Sequence, residues 1–547
     1  MSALKFCLAQ LNFKIGDFEG NTAKIADTIF NAKQQGADIV VFSELSVCGY
    51  MPDDLLDYPW FVEKCEQSLE AVAQSCQGIA AIVGGVIRNP DAQGRLLQNV
   101  ACFMSNGRIQ HYIPKTLLPT YDVFSEARYF EPAQESQIIE FKGVKIGIAI
   151  CEDLWDKYND FEYRISPGAQ LKALGADVII NPSASPFHLG KQSLRNRVFS
   201  GHASRFDVPV IYSNQVGMHT ELIFDGSTRA INKNGEIAAQ LPDFEEGIMY
   251  VDFENGQFDS NTQLPMEADD MAVLEKALIF GVKDYFRKMG FQKAVLGSSG
   301  GIDSAVVQAI LVKALGPENV LAVLMPSEFS SEGSVEDALK LCDNLGNAHY
   351  TLPIKTLYND YLATLEPVFQ GTDFGLAEEN LQARSRAVLL MGISNKTGHI
   401  LVNTSNKSEL SVGYSTLYGD LCGSISVIGD IYKSQVYALA RHINKHQIII
   451  PQEIIDKAPS AELRPGQKDS DSLPEYSVLD EILRLFIEER KGKDEIIMEG
   501  YDSAMVQRVL TLVNQSEYKR YQAPPIIRVS SKAFGKGRIM PLVARYS

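Results

Sequence analysis

The sequence predicts an α/β protein made of two layered units, and three observations carry that prediction. Short apolar β-type runs alternate with stretches of helical spacing through both halves of the chain. A polar, turn-rich stretch at 254–270 interrupts the alternation near the middle. Beyond it the pattern restarts on a strand, a glycine-rich turn and a helix, the opening of a second βαβ unit. The 547 residues have room for two large domains, and 45% apolar with 22% charged residues is the balance of a globular chain rather than a disordered one.

In chain order, residues 4–11 alternate like a strand and 21–35 have helical spacing. Apolar β runs follow at 37–42, 80–86, 144–150, 177–180 and 208–212. The pairs Asn106-Gly107 and Asn234-Gly235 are hairpin signals, so part of this sheet is expected to be antiparallel. We set a first domain at 1–258, a linker at 259–270 and a second domain at 271–547. The second opens on an amphipathic helix at 271–288, a strand at 293–296, the glycine-rich turn at 297–304 and a helix at 305–315. Further strands follow at 321–325 and 399–403. Two polar loops, 329–334 and 460–476, read as mobile.

Charge narrows the function. Lys+Arg number 51 and Asp+Glu 68, a net of −17, which weighs against general binding of nucleic acid or of anionic membranes. The sign is uneven: the last thirty residues hold Lys519, Arg520, Arg528, Lys532, Lys536, Arg538 and Arg545 and no acid. The eight cysteines form no CxxC pair and no His/Cys cluster, which speaks against structural zinc or a disulfide framework. No run of about 18 apolar residues predicts a membrane-spanning helix, and the start does not read as a secretory signal, so the expected location is the cytoplasm.

Two groups of residues carry chemistry. Gly297, Ser298, Ser299, Gly300, Gly301, Ile302, Asp303 and Ser304 follow an apolar strand and open a helix. Small residues there let backbone N–H groups approach an anion, and the helix N-terminus adds partial positive charge, so the turn is expected to hold phosphate. It is neither a P-loop nor a dinucleotide fingerprint, and it lacks the P-loop lysine. Asp303 stands where it could hold Mg²⁺ beside the phosphates. In the first half, Glu44 and Cys151 follow apolar runs and Lys115 ends another. A cysteine needs a base or a cation to act as a nucleophile near neutral pH. A partly buried Glu can be that base, and a Lys can stabilise a tetrahedral oxyanion together with a backbone N–H such as that of Glu152. Taken singly, a buried Cys is an ordinary core residue and a lone Glu or Lys an ordinary surface residue.

The run Ser299-Gly-Gly-Ile-Asp-Ser304 resembles the SGGxDS signature of the ATP pyrophosphatases, which transfer AMP to a carboxylate or carbonyl oxygen before a nitrogen nucleophile attacks. The contexts of Glu44, Lys115 and Cys151 together resemble the nitrilase (carbon–nitrogen hydrolase) superfamily over about 1–258. That resemblance implies Glu44 as general base, Lys115 as oxyanion stabiliser, Cys151 as nucleophile and Glu126 as a second acid supporting the lysine. It implies a glutamine pocket lined by Tyr121, Ser183, Ser185 and Lys191. The implied folds are an α-β-β-α sandwich and a Rossmann-like parallel sheet. The two halves joined resemble the glutamine-dependent NAD⁺ synthetase family, helped by blocks at 379–386, 404–409, 413–420, 428–433, 459–467 and 519–538. That resemblance implies glutamine hydrolysis, adenylation of deamido-NAD⁺ by ATP with Mg²⁺, and amidation to NAD⁺ by ammonia. It implies Thr404 with residues 297–304 on ATP, Asp303 and Glu409 on Mg²⁺, and Asn380, Glu409, Lys519, Asp420 and Lys433 facing deamido-NAD⁺. It also implies a homo-oligomer built through the synthetase domain. Two departures are visible: Ser405 stands where the family usually has Gly, and 421–428 replaces a more usual Gly-Gly-Phe-Ala-Pro stretch.

Two rival readings remain at this point. One is an amidotransferase of the same build acting on another carboxylate, which would not share the 379–386, 404–409 and 519–538 blocks. The other is a nucleotide- or nucleic-acid-binding protein with an inactive N-terminal domain, against which the intact Glu44, Lys115 and Cys151 set argues. Among these readings the basic tail is best taken as a local positive field for two anionic nucleotides in one cleft.

Overall fold

In this computed structural model the described residues are 3–91, 93–156, 162–259, 269–464, 466–467, 469–471 and 473–544. Most of the linker expected at 259–270, namely 260–268, lies outside the described residues, as do Arg545 of the tail and residues 465, 468 and 472 of the second polar loop. The chain divides into two compact units, Met1–Ala268 and Asp269–Ser547.

The first unit is a four-layered sandwich. A seven-stranded sheet runs Gln257–Phe258, Gly247–Glu254, Leu4–Gln10, Ile39–Val41, Ala80–Arg88, Leu97–Ser105, Arg108–Pro114. A six-stranded sheet runs Ile237–Gln240, Arg229–Ile231, Val210–Asn214, Val178–Ser183, Val144–Ile148, Ile138–Phe141. The period of two along a strand divides their side chains between layers. Leu4, Phe6 and Leu8 join Ile146, Ile148, Val178 and Ile180 in the core between the sheets. Cys7 and Ala9 face the other way, packing with Ile25 and Ile29 of the helix Phe18–Gln34. On the second sheet, Ile179 and Val210 pack outward against Val198, Phe199 and Ala203 of the helix Lys191–Phe206. Both Asn-Gly signals lie at antiparallel hairpins, one between Leu97–Ser105 and Arg108–Pro114, the other between Arg229–Ile231 and Ile237–Gln240.

The second unit centres on a five-stranded parallel sheet in the order Ala348–Thr351, Val320–Leu324, Ala294–Gly297, Ile400–Asn403, Ile425–Ser426. Chain order reverses on either side of Ala294–Gly297. The crevice beyond that strand's C-terminal end is where such sheets bind ligands. The glycine-rich turn leaves from that end and runs into the helix Ile302–Leu315. Gly300 has φ +76, and a Cβ there would meet the Ser334 carbonyl oxygen at 2.1 Å, so only glycine lets the turn lie against the next helix. The loop expected at 329–334 is helix from Glu332 onward: Ser331 caps Glu332–Leu345, its side chain accepting from Ser334 N at 3.2 Å. The last three residues of that expected loop are therefore helical. Among the described residues no helix is long and apolar enough to cross a membrane.

Candidate active sites

In the first unit the strand ends bring three distant segments together. Glu44 follows Ile39–Val41. Gly84 makes room for it, because a Cβ there would lie 2.3 Å from Leu45 N. Lys115 follows Arg108–Pro114, and Cys151 opens a short 3₁₀ turn, Cys151–Leu154, after Val144–Ile148. All three are at least nine-tenths buried. The Lys115 ammonium bridges Glu44 Oε1 at 2.7 Å and Glu126 Oε1 at 2.8 Å. Asn99 Nδ2 donates to Glu44 Oε1 (2.7 Å), Ala184 N to Glu44 Oε2 (3.1 Å) and Tyr50 OH to Glu126 Oε1 (2.8 Å). Each carboxylate is thereby aimed. Burial works to lower Lys115, but the charges of Glu126 and Glu44 outweigh it and hold the ammonium protonated. Burial pushes Glu126 up to about 7, with Glu44 adding to the effect and Lys115 opposing it. The Cys151 thiol is raised well above its ordinary value, first by burial and then by the Glu44 carboxylate, against the pull of Lys115. It therefore rests as a thiol and needs a base at the moment of attack.

The residues expected around the amide substrate lie about this cluster. Tyr121 OH donates to Glu152 Oε1 at 3.0 Å, and Tyr163 OH to the same oxygen at 2.9 Å. Glu152, next to the nucleophile and 4% exposed, was absent from the sequence reading as a side chain. Lys191 lies over the Trp155 ring, 4.1 Å from its centroid, beside the Cys151 turn. Ser183 Oγ donates to Asn181 Oδ1 at 2.7 Å. Ser185 is held by Arg195, which donates to its carbonyl at 2.8 Å and to its hydroxyl at 3.3 Å. Arg195, fully buried, also makes a two-pronged pair with Asp225 at 2.6 and 2.7 Å. No sequence spacing links positions 195 and 225, so only the fold reveals this pair.

In the second unit one cavity of about 530 Å³ is lined by all of Gly297, Ser298, Ser299, Gly300, Gly301, Ile302, Asp303 and Ser304. Thr404, Asn380, Glu409, Asp420, Lys433 and Lys519 line it too. Asp303 and Glu409 converge on a single cation, the Lys433 ammonium, at 2.5 and 3.2 Å. Asn406 fixes both: its Nδ2 donates to Asp303 Oδ1 at 2.9 Å, and its Oδ1 caps Glu409 N at 2.9 Å. Burial pushes Glu409 up to about 8; Lys433 opposes this, and Asp303 and Asp469 add to it. Lys433 lines the cavity with its ammonium between the two carboxylates. Asn380 Oδ1 accepts from Thr416 Oγ1 at 2.6 Å, and Asp420 Oδ1 accepts from Thr416 N at 2.7 Å. Ser405 at the departure from the family pattern donates its hydroxyl to the Asp420 carbonyl at 3.4 Å, a bond glycine could not make. The replaced stretch supplies the edge strand Ile425–Ser426.

Arg386 and Glu462 are among the cavity residues that the sequence reading passed over as site residues. Arg386 Nε donates to the Met325 carbonyl at 3.0 Å, and burial lowers its guanidinium to about 10. Glu462 reaches across to Ser331 Oγ at 3.0 Å and Ser334 Oγ at 2.7 Å.

The cations of the basic tail divide by what they face. Of the tail's described basic residues Lys519 lines the cavity, and its ammonium donates to the carbonyls of Gly413 (2.8 Å) and Ser415 (2.7 Å). Arg520 donates to the carbonyls of Leu410 and Ser411, Arg528 to those of Ser530 and Ser531, and Arg538 pairs with Glu517 at 2.8 Å. Lys519, Arg520 and Arg528 thus serve backbone carbonyls, and Arg538 a carboxylate.

Fold and sites together define a thiol amide-hydrolase unit on the same chain as a nucleotide-binding parallel-sheet unit. A carbon-nitrogen hydrolase family model matches residues 7–259, and an NAD synthase family model matches 274–523. Among curated relatives, the glutamine-dependent NAD(+) synthetase of Synechocystis sp. is 46% identical over 98% of each chain. That of Thermotoga maritima is 39% identical over 100% of this chain and 99% of its own. A solved structure of the Acinetobacter baumannii glutamine-dependent NAD+ synthetase in complex with ADP has a TM-score of 0.79 at 37% identity, covering 99% of this chain and 98% of that one. The Cytophaga hutchinsonii enzyme, 23% identical with a TM-score of 0.84 over 99% and 98% of the two chains, shares the fold. The chain belongs to the glutamine-dependent NAD(+) synthetase family.

Proposed function

We propose that this chain makes NAD⁺ from deamido-NAD⁺, taking the nitrogen from glutamine and the driving force from ATP. The observation that carries the reading is the pairing on one chain of a buried Cys151, Glu44 and Lys115 cluster with a nucleotide cavity that opens at the switch point of a parallel sheet. At the first site Glu44 accepts the Cys151 proton as Sγ attacks the glutamine carboxamide carbon. Lys115 and the Glu152 N–H stabilise the oxyanion. Ammonia leaves with the proton returned by Glu44, and water releases glutamate from the thioester. Glu126 holds the ammonium of Lys115 in place while Glu44 is neutral. The Glu152 carboxylate suits the α-ammonium of glutamine and Lys191 its α-carboxylate, while Tyr121, Ser183 and Ser185 wall the pocket.

At the second site the nicotinate carboxylate of deamido-NAD⁺ attacks the α-phosphorus of ATP and pyrophosphate leaves. Ammonia then displaces AMP from the acyl-adenylate. The N–H groups of 297–304 and Thr404 hold the nucleotide; Asn380, Asp420 and Lys519 orient the dinucleotide. Mg²⁺ fits the donors present: two hard carboxylates, Asp303 and Glu409, converge on one point, which the Lys433 ammonium holds here. Mg²⁺ is commonly held by one or two carboxylates with substrate phosphates supplying the rest. Asp303 and Glu409 would hold it, and it would neutralise phosphate charge.

We infer a cytoplasmic homo-oligomer joined through the synthetase unit. Val368 on the helix Lys355–Phe369 and Val388 and Met391 on the neighbouring helix Leu376–Thr397 are exposed apolar residues that support it. Sedimentation tests the oligomer. The function is tested by incubating purified protein with glutamine, ATP, Mg²⁺ and deamido-NAD⁺. NAD⁺, AMP and pyrophosphate in equal amounts are expected; release of ADP, or no NAD⁺, overturns the reading.

A further inference from the structure

Cys151 has φ +42, the left-handed region that a β-carbon disfavours, so its turn stores strain that the surroundings must hold. Lys115 sits 36 residues earlier on another segment, and catalysis needs the sulfur and the ammonium in fixed register. One side chain ties the two segments together. Asp153, 2% exposed, accepts Ile150 N on Oδ2 at 2.8 Å, just before the nucleophile. On Oδ1 it accepts Thr116 N at 3.0 Å and Leu117 N at 2.7 Å, just after the lysine. Thr116 and Leu117 are themselves buried, so their N–H groups need this acceptor. On the other side, Asn181 Nδ2 donates to the Cys151 carbonyl at 3.2 Å and holds the same turn from its neighbouring strand. A carboxylate is the one side chain short enough for this position with two acceptor oxygens and no donor.

We propose that Asp153 is a positioning residue for the glutaminase reaction: it clamps the Cys151 turn to the segment carrying Lys115 and so sets the distance between nucleophile and oxyanion stabiliser. This rests on the glutaminase reading above. Asn at 153 keeps the shape but turns an NH₂ toward a backbone N–H, so one of the two segments is released. Glu keeps the charge but moves the oxygens out by one methylene.

The test compares wild type, Asp153→Asn and Asp153→Glu as full-length enzyme. Cys151 is first counted by stoichiometric alkylation protected by glutamine, so that rates are expressed per competent thiol. Glutamine kcat and KM are then measured, with ammonium-dependent NAD⁺ synthesis as the control on the other unit. The expected result is a loss of 30-fold or more in glutaminase kcat per counted thiol (about 10² for a lost oxyanion contact). KM for glutamine should stay within threefold, ammonium-dependent synthesis should be unchanged, and Glu should fail to rescue Asn. A kcat per thiol within threefold of wild type, a rise in KM alone, or full rescue by Glu overturns the clamp. Where Asn leaves no countable thiol, the Glu variant is scored by the same numbers. Absence of glutaminase activity in the wild type would instead overturn the reading of the site.

Discussion

Replacing Arg195 with Met puts a number on the buried scaffold behind the glutamine pocket. The guanidinium is fully buried and donates to five acceptor atoms: both oxygens of Asp225, the hydroxyl of Ser185 at 3.3 Å and its carbonyl at 2.8 Å, and the carbonyl of Pro186 at 3.1 Å. Met fills much of the volume but leaves Asp225, 2% exposed, as a lone buried charge. Removing one partner of a buried pair costs about 3–5 kcal/mol. Each carbonyl left unpaired adds about 1 kcal/mol. The sum is on the order of 5 kcal/mol, which in a unit of this size lowers its unfolding temperature by roughly 10–20 °C. Differential scanning calorimetry reads the shift, and KM for glutamine should rise because the Ser185 carbonyl loses its anchor. Ammonium-dependent synthesis should be unchanged. Adding Asp225→Leu to Arg195→Met removes the stranded charge and should recover part of the loss, a coupling that a double-mutant cycle isolates. A fall below about 3 °C for Arg195→Met, or no recovery in the double variant, would refute the assignment of Arg195 and Asp225 as an interdependent scaffold.

Cys151→Ala should abolish glutamine use and keep ammonium-dependent NAD⁺ synthesis; loss of both would mean the chemistry is not divided between the units. Asp303→Ala should stop AMP and pyrophosphate formation yet leave glutamine hydrolysis measurable, and the reverse pattern would remove Asp303 from the ATP site. Burial raises Glu409 to about 8, so a proton and Mg²⁺ compete for its carboxylate near neutral pH. Mg²⁺ affinity should therefore climb as pH rises from 6.5 towards about 8 and level off above it, with proton release visible by calorimetry in buffers of different ionisation enthalpy. A flat profile would take Glu409 out of the metal site.

Local signals in the sequence were readable because their physics is local. The turn at 297–304 shows itself by small residues between a strand and a helix, and the hairpins by Asn-Gly at 106–107 and 234–235. Glu44, Lys115 and Cys151 were each ordinary alone and became a site only through a family resemblance, because strand ends 71 and 36 residues apart meet in space. Partners without a spacing rule were not readable: Asp153 with Thr116 and Leu117, Arg195 with Asp225, Glu462 with Ser331 and Ser334. The partners of the tail's cations were hidden for a related reason. Charge counts do not show whether a cation faces a ligand or a carbonyl, and Arg520, Arg528 and Arg538 face the protein's own backbone or acids.

The most direct measurement follows the nitrogen. Purified protein is given glutamine labelled with ¹⁵N at the amide, together with ATP, Mg²⁺, deamido-NAD⁺ and unlabelled ammonium, and the NAD⁺ formed is analysed by mass. The account predicts label in the nicotinamide amide of the wild-type product, one AMP per NAD⁺, and no label in the product of Cys151→Ala, which draws only on the ammonium. Unlabelled NAD⁺ from the wild type, or labelled NAD⁺ from Cys151→Ala, would contradict it.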